Sequence, residues 1–145
     1  SRSQLGYEIS LAGGCFAAVS RRQHSTATDV AAAELFAAST AAAELLNVTG
    51  VLRFLSFGIL GHQAVPLWID NEACVLVAKD ASSIKRLAYV TRRVRFLQEL
   101  ANRGIVKVLK VDGTSNPADV FTKYLSKQPF REYMARLYNV PIDNI

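Results

Sequence analysis

The chain has 145 residues, of which 50% are hydrophobic, and it carries 17 Lys and Arg against 12 Asp and Glu, for a net charge of +5. This length and composition argue against a disordered protein and favour one domain over residues 1–145 with a sizeable core. The excess of positive charge suits a polyanionic partner such as a nucleic acid.

The first half of the chain predicts a hairpin followed by helices. Two runs of β-forming residues flank Gly13 and Gly14, and they predict strands at about residues 5–12 and 15–20 joined by a tight Gly-Gly turn. From Thr26 the chain is rich in Ala, Leu and Glu after a Ser/Thr-rich lead that can cap a helix, which predicts a long helix. We expect a bend near Asn47 and Gly50, and a second helix over VTGVLRFLSFGIL.

The second half alternates between strands and helices. The apolar run 65–69 is typical of a strand covered on both faces, and we expect its Trp68 in the core. A short helix is predicted over 71–79, and KRLAYVTRRVRFLQELANRG predicts a helix that ends at Gly104. Its buried stripe would contain Val94, Leu97 and Leu100. IVKVLKV alternates like a strand, and 130–138 can form a last helix, so the whole order predicts a mixed α/β layer architecture.

The cysteines and the start of the chain bear on cellular context. Cys15 and Cys74 lack metal-ligand spacing, so we expect an intracellular protein with buried thiols; a Cys15–Cys74 disulfide is the alternative. We find no uninterrupted apolar stretch of membrane-spanning length and no secretory signal in SRSQ, and we expect no membrane partner. A first residue of Ser, followed at once by strand-like sequence, suggests a piece of a longer protein.

Three acids stand where chemistry could occur. Asp70 follows an apolar strand, at the edge where open α/β sheets place their active crevice, although it could simply cap the helix that begins near Glu72. Glu34 interrupts the Ala/Leu face of the long helix, where a carboxylate is costly unless it meets cations. Asp119 follows a proline that stiffens its loop. Capping or solvation explains each acid separately, but together they could bind Mg²⁺, which prefers carboxylate and water oxygens.

Four segments of this chain resemble a known family. STATDVAAAELFAAS, LWIDNEACVLVAK and NPADVFTKYLSKQPF resemble, in that order, the helix-borne Glu, the strand-end Asp-Asn and the terminal Ala-Asp-x-Phe-Thr-Lys segments of the ribonuclease H domain in Ty1/copia-type retrotransposon polyproteins. RSQLGYEISLAGGCFAAVSRRQ resembles the second and third strands of that domain. The resemblance covers Ser3 to about Tyr138, and it implies a ribonuclease H-like mixed sheet flanked by helices, lacking the first, central strand.

The resemblance implies hydrolysis of the RNA strand of an RNA–DNA hybrid during reverse transcription. Glu34, Asp70 and Asp119 would be the catalytic, metal-binding acids, with two Mg²⁺ ions as cofactors, for which Mn²⁺ can substitute. Ions roughly 4 Å apart can activate the attacking water and neutralise the leaving oxygen. The partners would be the hybrid and the reverse transcriptase domain of the same polyprotein. The location would be a cytoplasmic retrotransposon particle, with a nuclear stage as an option.

This chain departs from the family in three places. The family carries its first catalytic Asp on the strand before the Gly-Tyr strand, and this chain begins after that point. Tyr89 and Thr91 stand where the family has His and Asp, and the region before Asp119, VDGTSNPAD, contains no His. We therefore expect two unpaired strand edges, low stability, and little or no nuclease activity of the chain alone, with activity regained by a polypeptide extended upstream.

A basic cluster in the predicted helix is the candidate nucleic-acid surface. It contains Lys85, Arg86, Arg92, Arg93 and Arg95. The residues that we assign to nucleic-acid binding are Asn71, Arg92, Arg93 and Arg95. A solvated helix face, with Glu99 paired to Arg95, explains the cluster equally well. A non-catalytic scaffold that binds nucleic acid, or an inactive retroelement remnant, is the alternative to an enzyme.

Overall fold

The computed structural model describes residues 4–22, 30–56, 63–79 and 91–144. In chain order, the strands and helices are β1 (Gln4–Leu11), β2 (Gly14–Arg22), α1 (Val30–Leu55), β3 (Val65–Ile69), α2 (Glu72–Lys79), α3 (Thr91–Asn102), β4 (Val106–Lys110) and α4 (Lys127–Tyr138). They fall into two compact units, which we call the hairpin unit (residues 1–26 and 113–145) and the helical unit (residues 27–112). The mixture of strands and helices confirms the α/β class.

The hairpin unit begins with the antiparallel pair β1–β2. Its turn lies at Ala12 and Gly13, whose φ angles are 52° and 88°. Two positive φ values in succession identify the two-residue turn that matches the twist of a hairpin. The turn was expected at Gly13 and Gly14, which is wrong by one residue, because Ala12 accepts the left-handed conformation while Gly14 begins the next strand.

The hairpin unit is completed by the C-terminal part of the chain. A short 3-10 helix, Pro117–Phe121, packs against β1, and α4 packs against β2. Helix α4 ends at Asn139, whose φ of 53° and ψ of 46° allow its N–H to close the last turn on the Arg136 carbonyl. The buried side chains of α4 are Tyr133, Ala135 and Leu137.

In the helical unit, α1 is one continuous helix from Val30 to Leu55. The expected division near Asn47 and Gly50 is therefore wrong. A glycine in a helix interior costs only about 1 kcal/mol relative to alanine, and the turn before Gly50 is held in place because Leu45 and Leu46 pack against the core. Sequence reasoning overweighted a single unfavourable residue.

Helix α1 is long and mostly apolar, although Glu34, Glu44 and Arg53 interrupt its apolar sequence. By length and composition alone, Ala31–Leu55 could cross a membrane, a test that core helices of soluble proteins also pass. Its N-terminal half supplies Ala32, Leu35, Ala38 and Ala42 to the core of the helical unit. Its last turns expose three large apolar side chains, Val51, Phe54 and Leu55.

Strands β3 and β4 form a parallel pair, from Val65 opposite Val106 to Ile69 opposite Lys110. One face packs in the core through Ile69, Val106 and Val108. The other face is open, since Trp68 is 57% exposed. The expectations that both faces of β3 are covered and that Trp68 is a core residue are therefore wrong: an apolar sequence shows what a strand could bury, not what the fold covers.

Helix α3 packs against α1 and α2 through the predicted stripe. Val94, Leu97 and Leu100 are all buried, which confirms that prediction. The helix ends as expected at Gly104, whose φ is 65°. The buried Gln98 was not predicted to face inward, and its Nε2 donates to the Val77 carbonyl oxygen at 2.7 Å, which ties α3 to α2.

Among the residues that the structure describes, β1 pairs with β2 and β3 pairs with β4, in two separate two-stranded sheets. The observed arrangement is thus an antiparallel pair and a parallel pair, where a mixed sheet was predicted. The ribonuclease H-like arrangement stays a prediction, as does the single domain over residues 1–145.

Candidate functional site

The junction between β3 and α2 carries Asp70 and Asn71. Asn71 is the residue that caps α2, because its Oδ1 accepts a hydrogen bond from the Cys74 N–H at 3.1 Å. Its carbonyl oxygen accepts from the Val75 N–H, also at 3.1 Å. The simpler explanation of Asp70 as the helix cap is therefore wrong, because the following residue has that role.

The backbone around Asp70 is held firmly. The Val111 N–H donates to the carbonyl of Ile69 at 3.0 Å, so the parallel ladder continues to the residue just before Asp70. The Lys110 ammonium donates to the carbonyl oxygen of Asp70 itself. Asp70 is only half-buried, which combines a fixed backbone with access to solvent. Sequence reasoning missed Lys110, although the last residue of a neighbouring parallel strand is expected at the same edge.

Glu34 lies in the same unit as Asp70. It is half-buried on α1, directly before the fully buried Leu35. Helix α1 packs against both β3 and α2, the two elements that flank Asp70. Glu34 is thus half-buried beside the buried face of α1, whereas the sequence pattern placed it within that face.

Asp119 belongs to the hairpin unit, in the 3-10 helix Pro117–Phe121. Asn116 caps this helix by accepting from the Ala118 N–H at 3.1 Å, so Asp119 is not a cap. Nor is Asp119 solvated, because only 7% of it is exposed. Its Oδ2 instead forms an ion pair with Lys123 Nζ at 2.8 Å. Capping and solvation are both wrong for this acid, which is a buried carboxylate already facing a cation.

The donor chemistry of the three acids fits a hard divalent cation, since all three are carboxylates. Among the described residues, however, no group of three or more His, Cys, Asp or Glu side chains could hold a metal ion. Glu34 and Asp70 belong to one unit and Asp119 to the other. The meeting of the three carboxylates stays a prediction, and neither unit supplies the complete set.

The three arginines of α3 have different surroundings. Arg93 is fixed to α1: its guanidinium lies 4.3 Å from the centre of the Phe36 ring, and its Nη1 donates to Ser39 Oγ at 3.0 Å. Arg92 and Arg95 have exposed side chains one turn apart on the outer face of α3.

The expected pairing of Glu99 with Arg95 is wrong, whereas the solvated helix face agrees with the exposure of Arg92 and Arg95. Glu99 instead pairs with Arg103, with Oε1 and Nη1 3.4 Å apart. The assignment of the arginines to nucleic-acid binding stays a prediction. Lys85, Arg86 and Tyr89 lie outside the described residues.

Comparison with known proteins points to a mobile element. The chain is 26% identical over 129 residues to the "Retrovirus-related Pol polyprotein from transposon TNT 1-94" of Nicotiana tabacum, a match that covers 89% of this chain and 10% of the polyprotein. The chain thus spans about a tenth of that relative's length. No protein-family model matches the chain, and no solved structure gives a significant match to it. The similarity supports an origin in a retrotransposon polyprotein.

Proposed function

We propose that this chain is the ribonuclease H part of a copia-type retrotransposon polyprotein, which cleaves the RNA strand of RNA–DNA hybrids made during reverse transcription. The observation that carries the proposal is the division of roles at the end of β3. Asn71 caps α2, so Asp70 is not needed as the cap. Asp70 is a half-buried acid with a fixed backbone at the carboxyl end of a strand, the position at which α/β enzymes place catalytic groups. The similarity to a retrovirus-related Pol polyprotein supports a role for this acid in nucleic-acid chemistry.

In this proposal Asp70, Glu34 and Asp119 hold two Mg²⁺ ions, which Mn²⁺ can replace. When bound, such ions activate a water molecule and stabilise the departing 3′ oxygen. The protein side chains hold the cations, orient the hybrid and exclude bulk water. Asp119 enters this arrangement with Lys123 as its present counter-ion, so the ammonium must move aside when a dication approaches.

The hybrid would lie along α3. Arg92 and Arg95 are exposed on its outer face and would contact phosphates, which adds affinity that is independent of sequence and sensitive to salt. Asn71 uses Oδ1 for the helix cap, which leaves its amide N–H groups to donate to the nucleic acid. Selection of RNA would depend on the 2′-hydroxyl groups in the wide minor groove of the hybrid.

The natural partner in this proposal is the reverse transcriptase domain of the same polyprotein, which makes the hybrid. The site of action is the cytoplasmic retrotransposon particle, with a nuclear stage as an option. A non-catalytic scaffold is the second candidate, and one observation favours it: the ion pair between Asp119 and Lys123 gives that acid a purely structural partner.

The test compares Asp70→Asn with Glu72→Gln in a polypeptide that also carries the residues upstream of this chain. Glu72 is the matched control, since it is an exposed acid two residues away, in the first turn of α2. With a labelled hybrid and Mg²⁺, we expect Asp70→Asn to lose cleavage and keep hybrid binding, and Glu72→Gln to keep both. Hybrid binding without cleavage by the unsubstituted polypeptide would instead identify a scaffold.

A further inference from the structure

The 3-10 helix that carries Asp119 lies directly against β1 at Gly6. A Cβ atom at position 6 would stand 2.5 Å from Thr122 Cγ2 and 3.0 Å from Phe121 Cβ. Carbon atoms in van der Waals contact are about 3.5–4.0 Å apart. Residues 117–123, which we call the Asp119 segment, therefore occupy the volume that any side chain at position 6 would need. A glycine is needed at position 6 for space and not for backbone conformation. Among the described glycines, those with a positive φ are Gly13 and Gly104, and Gly6 is not one of them.

Hydrogen bonds hold the segment at this place. Ser20, opposite Gly6 on β2, donates from Oγ to the Phe121 carbonyl oxygen at 2.5 Å. Gln4 supports Ser20 by donating from Nε2 to its Oγ at 2.9 Å. The hairpin thus contacts Phe121 and Thr122, two and three residues after Asp119, through the backbone at Gly6 and the hydroxyl of Ser20.

Thr122 is coupled to Asp119 through one tight turn. The Asp119 carbonyl oxygen accepts from the Thr122 N–H at 3.1 Å and from the Lys123 N–H at 2.9 Å. Lys123 in turn holds the Asp119 carboxylate at 2.8 Å. A displacement of Thr122 therefore changes the position of both the backbone and the carboxylate of Asp119.

We propose that Gly6 is a positioning residue for Asp119: the absence of a side chain on β1 sets where the carboxylate stands. The importance of that carboxylate for chemistry rests on the proposed function. The placement of the segment by Gly6 does not, so the two ideas can fail separately.

Two further substitutions make the contact testable. Gly113→Ala is the matched control, because Gly113 lies in the same unit and a Cβ there would meet nothing within 4 Å. Thr122→Ser removes Cγ2, the atom nearest to the added Cβ, and keeps the Oγ1 that faces the Asp119 carbonyl at 3.4 Å. The double substitution Gly6→Ala with Thr122→Ser should relieve the worst contact.

The experiment measures amide exchange at Thr122 and Lys123 by NMR, and Mn²⁺ affinity by calorimetry, in the same upstream-extended polypeptide as the cleavage test. We expect Gly6→Ala to lose about tenfold in exchange protection and, since it disturbs the support of a ligand, about tenfold in Mn²⁺ affinity. Gly113→Ala and Thr122→Ser should behave like the unsubstituted chain, and the double variant should recover most of both losses.

Three results would overturn the proposal: unchanged exchange in Gly6→Ala, equal losses in Gly113→Ala, or a double variant that recovers nothing or does not fold. If Gly6→Ala alone fails to fold and Thr122→Ser restores folding, the steric contact is confirmed. An upstream-extended polypeptide that binds no Mn²⁺ at all would contradict the proposed function, and the exchange data would still decide whether Gly6 places the Asp119 segment.

Discussion

Replacing Arg93 by Ala separates the structural use of a basic residue from its use in binding. Arg93 lies with its guanidinium 4.3 Å from the Phe36 ring centre and donates to Ser39 at 3.0 Å. A cation–π contact at an exposed site contributes about 0.5–1 kcal/mol, and a typical hydrogen bond about 1 kcal/mol. Arg93→Ala should therefore lower the free energy of unfolding by about 1–2 kcal/mol, measured by urea titration. Arg92→Ala, the exposed neighbour, should change it by less than about 0.5 kcal/mol.

The same variants should have the opposite order in binding to a hybrid. Each phosphate contact contributes about 1 to the slope of log affinity against log salt concentration. Arg92→Ala and Arg95→Ala should each reduce the slope by about that amount, whereas Arg93→Ala should leave it unchanged. An Arg93→Ala variant of unchanged stability that binds the hybrid with a reduced slope would refute the assignment of Arg93 to helix packing.

Further changes test individual parts of the fold. Gly50→Ala should raise the free energy of unfolding by about 0.8–1 kcal/mol, because α1 is continuous there; a loss of stability in urea titration would show that Gly50 is needed for a bend. Lys123→Met should lower it by about 1–3 kcal/mol, because the buried Asp119 carboxylate loses its ammonium partner; unchanged stability would mean that this ion pair contributes nothing. Burial, and secondarily the Glu8 carboxylate, raises the pKa of the Cys15 thiol. Its alkylation near pH 8 should therefore be slower than that of a free thiol, since less thiolate is present, and Glu8→Gln should accelerate it; equal rates would contradict the influence of Glu8.

Local sequence signals correctly predicted the elements that are defined by an apolar run, a helix-ending glycine or a regular spacing of apolar residues. The apolar run Val65–Ile69 is a strand with the predicted bounds, and Gly104 closes α3 in left-handed geometry as expected. The spacing of Val94, Leu97 and Leu100 identified the buried side of that helix. These predictions succeeded because each depends on neighbours within a few residues along the chain.

The errors arose where distant parts of the chain decide the outcome. Nothing local to Trp68 shows that its face of the sheet is open, and nothing local to Arg93 shows that Phe36 lies beneath it. The Asp119 partner could have been found, because Lys123 follows at the four-residue spacing that brings side chains together on a helical segment. The cap was ambiguous because Asp70 and Asn71 are adjacent and both are good capping residues.

The most direct test of the central claim is a Mn²⁺ titration followed by NMR, because a paramagnetic ion broadens the signals of nearby nuclei. If the carboxylates of Glu34, Asp70 and Asp119 share one metal site, amide signals around all three should broaden at the same Mn²⁺ concentration, and Asp70→Asn should weaken the effect at all three. Broadening around Asp119 that persists unchanged in Asp70→Asn, or that is absent while the other two respond, would contradict a shared site.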